Sequence, residues 1–97
     1  MDSIKSFSPK TNIELNELFK KLFASDLDYN IIIDLTSLMD INFLKDLRKL
    51  SNFSKKNKKS LVIVSSDLSC DQVNVAPTLY EAYDVIELEE IERDLLS

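Results

Sequence analysis

The sequence contains no glycine and no histidine, and each absence excludes a class of site. Without glycine, the chain cannot build either of the common glycine-rich loops that bind phosphate. Without histidine, it lacks the usual catalytic base near neutral pH and the commonest metal ligand. A single cysteine, Cys70, excludes an internal disulfide and a zinc site made of several cysteines. We therefore predict no metal, no cofactor and no enzymatic activity.

Positive charge is also in short supply, with 12 lysines and arginines against 17 acids and a net charge of −5. This balance disfavours sequence-independent binding to nucleic acid and docking on an anionic membrane. No apolar run approaches the ~20 residues of a membrane helix, and the first ten residues lack the pattern of a signal peptide. These features predict a cytoplasmic protein with no nucleic-acid partner and no membrane partner.

The order of the predicted elements favours one compact α/β domain spanning residues 1–97. Helices alternate with strands through short connections, which is typical of a largely parallel sheet. We expect three to four strands packed with three to four helices. The predicted elements are a short strand at 4–7, a helix at 12–25, a strand at 31–35, a helix at 41–54, a strand at 61–65, a short strand at 73–75 and a helix at 79–95.

Local signals mark the helix starts and the strands. Thr11 and Glu14 have capping-box spacing, and Thr78 and Glu81 repeat it before the last helix. Asp40 is the expected N-cap of the second helix. The runs "III" and "LVIV" are apolar without alternation, which indicates strands that are covered on both faces.

The last predicted helix contains a strongly acidic stretch, "ELEEIERD". A solvated helix face is the favoured interpretation, and a contact for a basic partner is the alternative. We also expect a kink or break near Val85. The predicted buried stripe of this helix contains Leu79, Ala82 and Ile86 and continues, in broken form, through Leu88, Ile91 and Leu95.

The stretch "IIIDLTSLMDINFLKDLRKL" resembles the signature of STAS domains, the fold of anti-sigma-factor antagonists. That signature is an apolar strand ending in Asp-Leu-Ser, then an apolar residue with Asp, then small residues and a helix. The resemblance covers roughly residues 4–96 and implies a regulatory domain that works by protein–protein contact. The matching residues are Asp34, Leu35, Thr36, Met39, Asp40 and Leu44.

Departures from the family pattern carry further implications. Ile41 stands where phosphoregulated members have their phosphoacceptor serine, so the resemblance implies no phosphorylation at Ile41. The family also begins with a longer strand hairpin, and only residues 3–7 are left to represent it here. The first strand of the family is therefore expected to be missing. An uncovered sheet edge tends to pair, so a homodimer through that edge is a further hypothesis.

The predicted partner-binding residues are Thr36, Ser37, Asp40, Ile41 and Asn42. Ligands of open α/β sheets tend to sit beyond the carboxyl ends of the strands, where this segment lies. The favoured interpretation of the local chemistry is simpler. Asp40 caps a helix, and Thr36 and Ser37 satisfy the loop backbone.

Ser37 is also a candidate for a displaced phosphoacceptor. A phosphate near a helix start would meet free N–H groups, but Asp34 and Asp40 would repel it. An ordinary loop serine is the favoured interpretation.

The tail "PTLYEAYDVIELEEIERDL" resembles the tail of short STAS-like proteins that carry the name ribonuclease Z. Nucleases of that type hold their zinc ions with histidines, which this chain lacks. The resemblance therefore implies at most a partner or accessory protein of such a nuclease. Our leading hypothesis is a non-enzymatic regulatory interaction module. A nuclease partner and a self-associating structural module stay open as alternatives.

Overall fold

The computed structural model describes residues 3–38, 43–68 and 70–96. Its four strands form one parallel sheet in the order β1-β2-β3-β4. The predicted α/β class, with a parallel sheet and three helices, is confirmed. The elements in chain order are β1 (Ile4–Phe7), α1 (Asn12–Phe23), β2 (Asn30–Asp34), α2 (Leu44–Lys56), β3 (Leu61–Val64), β4 (Asn74–Ala76) and α3 (Leu79–Leu96).

The two central strands are buried on both faces, as their unbroken apolar runs indicate. Successive side chains of a strand point to opposite faces. Ile33 and Ile63 are paired in the register and pack with α1 and α2. Ile32 and Val62 are also paired, and they pack on the other face with Ala82 and Ile86 of α3. The sheet is therefore covered by two helices on one face and by α3 on the other.

The connection from β3 to β4 runs over the face of the sheet that α1 and α2 also cover. Leu68, Cys70 and Val73 from this connection pack against the core cluster on that side. Ser51 Oγ of α2 also donates to the Gln72 carbonyl at 3.0 Å. Within the described part of the chain, α3 is thus left as the single helix that covers the opposite face.

Polar bonds fasten the second half of α3 to the amino ends of the strands. Asn30 is fully buried at the start of β2. Its Oδ1 accepts from the Ser60 N–H at 2.8 Å, and its Nδ2 donates to Glu90 Oε1 at 2.7 Å. Arg93 Nη1 donates to Ser60 Oγ at 2.9 Å. Because a buried amide needs partners for both ends, Asn30 ties β2, β3 and α3 together.

Helix α1 begins at its predicted cap. Thr11 Oγ1 accepts from the Glu14 N–H at 3.1 Å. The Glu14 carboxylate does not return to Thr11, as a standard capping box would require, but accepts from the Lys10 N–H at 2.6 Å. The helix ends at Phe23 instead of residue 25, with Ala24 as its C-cap.

Helix α2 begins at Leu44, later than the predicted start at residue 41. The residue before it is Phe43, which makes no side-chain cap bond. Its ring packs against Phe19, with centroids 5.9 Å apart, so a non-helical Phe43 joins the core. The predicted cap, Asp40, lies outside the described residues.

Helix α3 corrects two predictions. It runs through Val85 without interruption, so the predicted break is wrong. Leu79, predicted to be in the buried stripe, is 41% exposed at the start of the helix. Leu88, Ile91 and Leu95 are exposed, so they do not continue the stripe. At about 100° per residue, these three positions lie on the side of the helix opposite Ile86.

The absence of glycine has a local cost at three turns. Leu27, Lys58 and Gln72 have positive φ angles of 29°, 59° and 68°. Lys58 follows α2, where the Lys59 N–H bonds the Ser54 carbonyl at 2.8 Å and the Lys58 N–H bonds the Lys55 carbonyl at 3.0 Å. This is a Schellman motif, in which the left-handed position is usually glycine.

We predict that Lys58→Gly stabilises the protein by about 0.5–1 kcal/mol, because glycine adopts positive φ without the steric penalty of a side chain. Urea denaturation measures the change. Lys56→Gly, in the last turn of α2, is the matched control and is expected to lower stability by about 0.5–1 kcal/mol. Equal destabilisation by both changes would contradict the assignment.

Candidate functional site at the carboxyl edge of the sheet

The chain leaves β2 in a short turn at the carboxyl edge of the sheet. Leu35 is buried, and its N–H bonds the Val64 carbonyl of β3 at 2.9 Å. The Leu38 N–H returns to the Leu35 carbonyl at 3.0 Å. Thr36 and Ser37, between these anchors, are exposed. The turn is therefore held at both ends while its tip faces solvent.

Asp34 fixes the first half of this turn. Its Oδ1 accepts from the Thr36 N–H at 2.9 Å and from Thr36 Oγ1 at 2.6 Å. A short acid that bonds the backbone two residues ahead is a common turn-forming device. The threonine hydroxyl thus bonds the Asp34 carboxylate and not the loop backbone that the favoured interpretation assigned to it, and Thr36 is exposed at the surface.

Of the five predicted partner-binding residues, the structure places two side by side. Thr36 and Ser37 share the exposed turn. The other three, Asp40, Ile41 and Asn42, lie outside the described residues, as does any helix cap made by Asp40.

A second hydrogen-bonded turn follows the neighbouring strand β3 at the same edge. Ser65 is buried, and its N–H bonds the Ala76 carbonyl of β4 at 3.0 Å. Ser65 Oγ accepts from the Asp67 N–H at 3.3 Å and from the Leu68 N–H at 3.1 Å. The hydroxyl therefore organises the loop that follows β3, as Asp34 organises the loop that follows β2.

An open groove of about 400 Å³ lies beside this second loop. It combines serine hydroxyls with apolar side chains, so it suits an apolar group that also carries hydrogen-bonding atoms. Sequence reasoning missed this groove, because its walls come from the ends of two strands and the loop between them. The lining residues are Ser65, Ser66, Leu68, Cys70, Val73, Val75 and Pro77.

The described ranges contain no group of three or more histidine, cysteine, aspartate or glutamate side chains placed to hold a metal ion. Cys70 is half-buried in the groove wall, with its Sγ 3.7 Å from the Asp71 carbonyl. Among the helices that the structure describes, none has the length and apolar character to cross a membrane.

Comparisons with protein-family models, curated proteins and solved structures found no match to this chain. The resemblance to STAS domains therefore rests on the sequence pattern alone.

We predict that Asp34→Ala lowers stability by about 1 kcal/mol, because two hydrogen bonds to one carboxylate oxygen are lost. Amide exchange of the Thr36 N–H, followed by NMR, is expected to accelerate. Asp34→Asn is the matched control, since its amide oxygen still accepts both bonds. Unchanged Thr36 exchange in Asp34→Ala would show that the carboxylate does not hold the turn.

Proposed function

We propose that this chain is a non-enzymatic, STAS-like regulatory module that binds another protein at the carboxyl edge of its sheet. The supporting observation is the pairing of an exposed, hydrogen-bonded turn at Thr36 and Ser37 with an open groove at the end of the adjacent strand. Asp40, Ile41 and Asn42 stay predicted members of the same surface.

The geometry suits a protein partner. The described turns after β2 and β3, residues 34–38 and 65–68, are held by hydrogen bonds, so these turns lose little conformational entropy when a partner binds. The groove offers a place for one apolar side chain, and anchors of this kind supply much of the energy of protein interfaces. Ser37 in the turn and Ser66 in the groove wall are exposed residues whose hydroxyls can make polar contacts with a partner.

Regulation in this proposal does not use the phosphoacceptor of the resembled family. Ile41 occupies the corresponding position and has no hydroxyl group. Ser37 is exposed, and it stays the alternative acceptor suggested by the sequence. The proposal places the module in the cytoplasm, where its net charge of −5 favours encounter with a basic partner. In the nuclease-associated alternative, the partner is a ribonuclease Z-type enzyme.

Self-association is a second candidate, and the position of β1 at an edge of the sheet favours it. In the described part of the chain, β1 pairs with β2 alone, so its outer backbone groups face away from the sheet. Such an edge can accept a strand from a second copy. Lys5 lies on this four-residue strand, and a charged side chain on a short edge opposes pairing. Sedimentation velocity at several concentrations separates the two candidates.

We predict that Ser37→Arg and Ser66→Arg each abolish recovery of the same stoichiometric partner. Tagged protein at native expression level is cross-linked in cells and captured, and partners are quantified by mass spectrometry. A bulky cation at either position blocks the surface without removing a buried group, so folding is expected to persist.

Asn52→Arg, on the exposed face of α2, is the matched control and is expected to keep the partner. Circular dichroism verifies that all variants fold. If both carboxyl-edge variants retain every partner that Asn52→Arg retains, the surface is assigned to the wrong part of the molecule.

A further inference from the structure

The side of α3 that faces away from the sheet carries a row of exposed apolar residues. Leu88, Ile91 and Leu95 are 59%, 50% and 79% exposed. Their spacing of three and then four residues places them along one line of the helix. We call Leu88, Ile91 and Leu95 the α3 seam. Ala82 and Ile86, on the opposite side, are fully buried against the sheet, so the seam is not covered by the described part of the chain.

The seam has the spacing of a coiled coil. With Leu88 and Leu95 at position a of a heptad, Ile91 falls at position d, and Asp84 falls at the preceding d. In coiled coils, a side chain of one helix inserts as a knob into a hole formed by four residues of the facing helix.

A surface groove on α3 coincides with such a hole. It has a volume of about 360 Å³ and is lined by Asp84, Glu87, Leu88 and Ile91. These residues occupy successive d, g, a and d positions, which is the set that surrounds a knob from a partner helix. Leu88 and Ile91 supply the apolar part of this groove, and Asp84 and Glu87 supply its acidic part.

Charge on the outer side of α3 is negative. Glu87 and Glu92 flank the seam on its two sides, at the g and e positions that select coiled-coil partners. The acids on the inner side are already bonded to the sheet, because Glu89 accepts from Asn74 at 2.8 Å and Glu90 accepts from Asn30 at 2.7 Å. Arg93, the one cation of α3, donates to Ser60 and does not offset the outer charge.

We propose that the α3 seam binds a basic amphipathic helix of another protein. The partner helix inserts an apolar knob between Leu88 and Ile91, and its lysine or arginine side chains lie beside Glu87 and Glu92. This surface is separate from the carboxyl-edge turn and groove, and it does not depend on the function proposed for them.

The charges argue against a second copy of this chain as the occupant. Two seams packed together in parallel would bring the flanking acids Glu87 and Glu92 face to face, and like charges at these positions disfavour pairing. The basic helix α2 exposes Lys45, Lys49 and Lys56. Among the described residues, however, α2 exposes no large apolar side chain that could fill the hole.

Contacts with the sheet keep α3 folded, so its short seam is ready to bind a partner. A seam of about two heptads on an isolated helix would be marginal, because short helices in water are mostly unfolded. Here α3 is already ordered by its inner contacts with β2, β3 and β4. Binding therefore requires folding of the partner helix alone.

Fluorescence anisotropy with two labelled synthetic peptides tests the proposal. Both peptides have three heptads with isoleucine and leucine at a and d. One carries lysine at e and g, and the other carries glutamate there. We expect the lysine peptide to bind wild-type protein at least about tenfold more tightly than the glutamate peptide, since several flanking pairs change from attractive to repulsive.

Ile91→Asp and Ile13→Asp form a matched pair that separates the seam from general electrostatics. Ile13 is 73% exposed on α1, so both changes place one new acid at an exposed isoleucine. Ile91→Asp is expected to weaken binding of the lysine peptide at least about tenfold, because the hole loses its apolar wall. Ile13→Asp is expected to keep the affinity for the lysine peptide within about twofold of the wild-type value. Thermal melts verify that both variants fold.

Charge reversal supplies the positive test. The double variant Glu87→Lys, Glu92→Lys is expected to prefer the glutamate peptide. The proposal is overturned if wild-type protein binds neither peptide or binds both equally, or if Ile91→Asp binds the lysine peptide as well as Ile13→Asp does. A wild-type dimer that Ile91→Asp dissociates in sedimentation would assign the seam to a second copy and would also overturn it.

Discussion

The structure depends on the burial of β2 and β3 on both of their faces. Adjacent residues such as Ile32 and Ile33, or Val62 and Ile63, point to opposite sides and are all fully buried. Each such side chain contributes roughly 1.5–3 kcal/mol when it is removed from water, so neither face of the sheet can be left open. This requirement places α1 and α2 on one face and α3 on the other.

Because α3 covers one face of the sheet, its acidic stretch is divided between an inner and an outer side. Glu89 and Glu90 turn inward and bond Asn74 and Asn30, where they help to hold the helix on the sheet. Glu87, in the same stretch, turns outward beside exposed apolar residues. The acidic stretch is therefore divided between two sides of one helix, with Glu89 and Glu90 bonded to the sheet and Glu87 facing outward.

The fold class was predictable because its signals are local. The apolar runs of β2 and β3 and the caps Thr11 and Thr78 each lie within a few residues of the structure that they specify. The predictions were wrong where contacts between residues far apart in the sequence determine the structure. Phe43 stays outside α2 while it packs on Phe19, and the apolar residues of α3 divide between two faces because the sheet accepts only one. The carboxyl-edge groove was missed for the same reason, since Ser65 and Pro77 meet only after β3 and β4 pair.

The central claim is that α3 is docked on the sheet as an ordered part of the core. Native-state amide hydrogen exchange tests this claim most directly. If α3 is docked through Ala82, Ile86 and Glu90, the amides of its central turns exchange only through large-scale opening, at rates close to those of β2 and β3. Exchange of those amides at rates close to the unprotected rate, while β2 and β3 stay protected, would contradict the account.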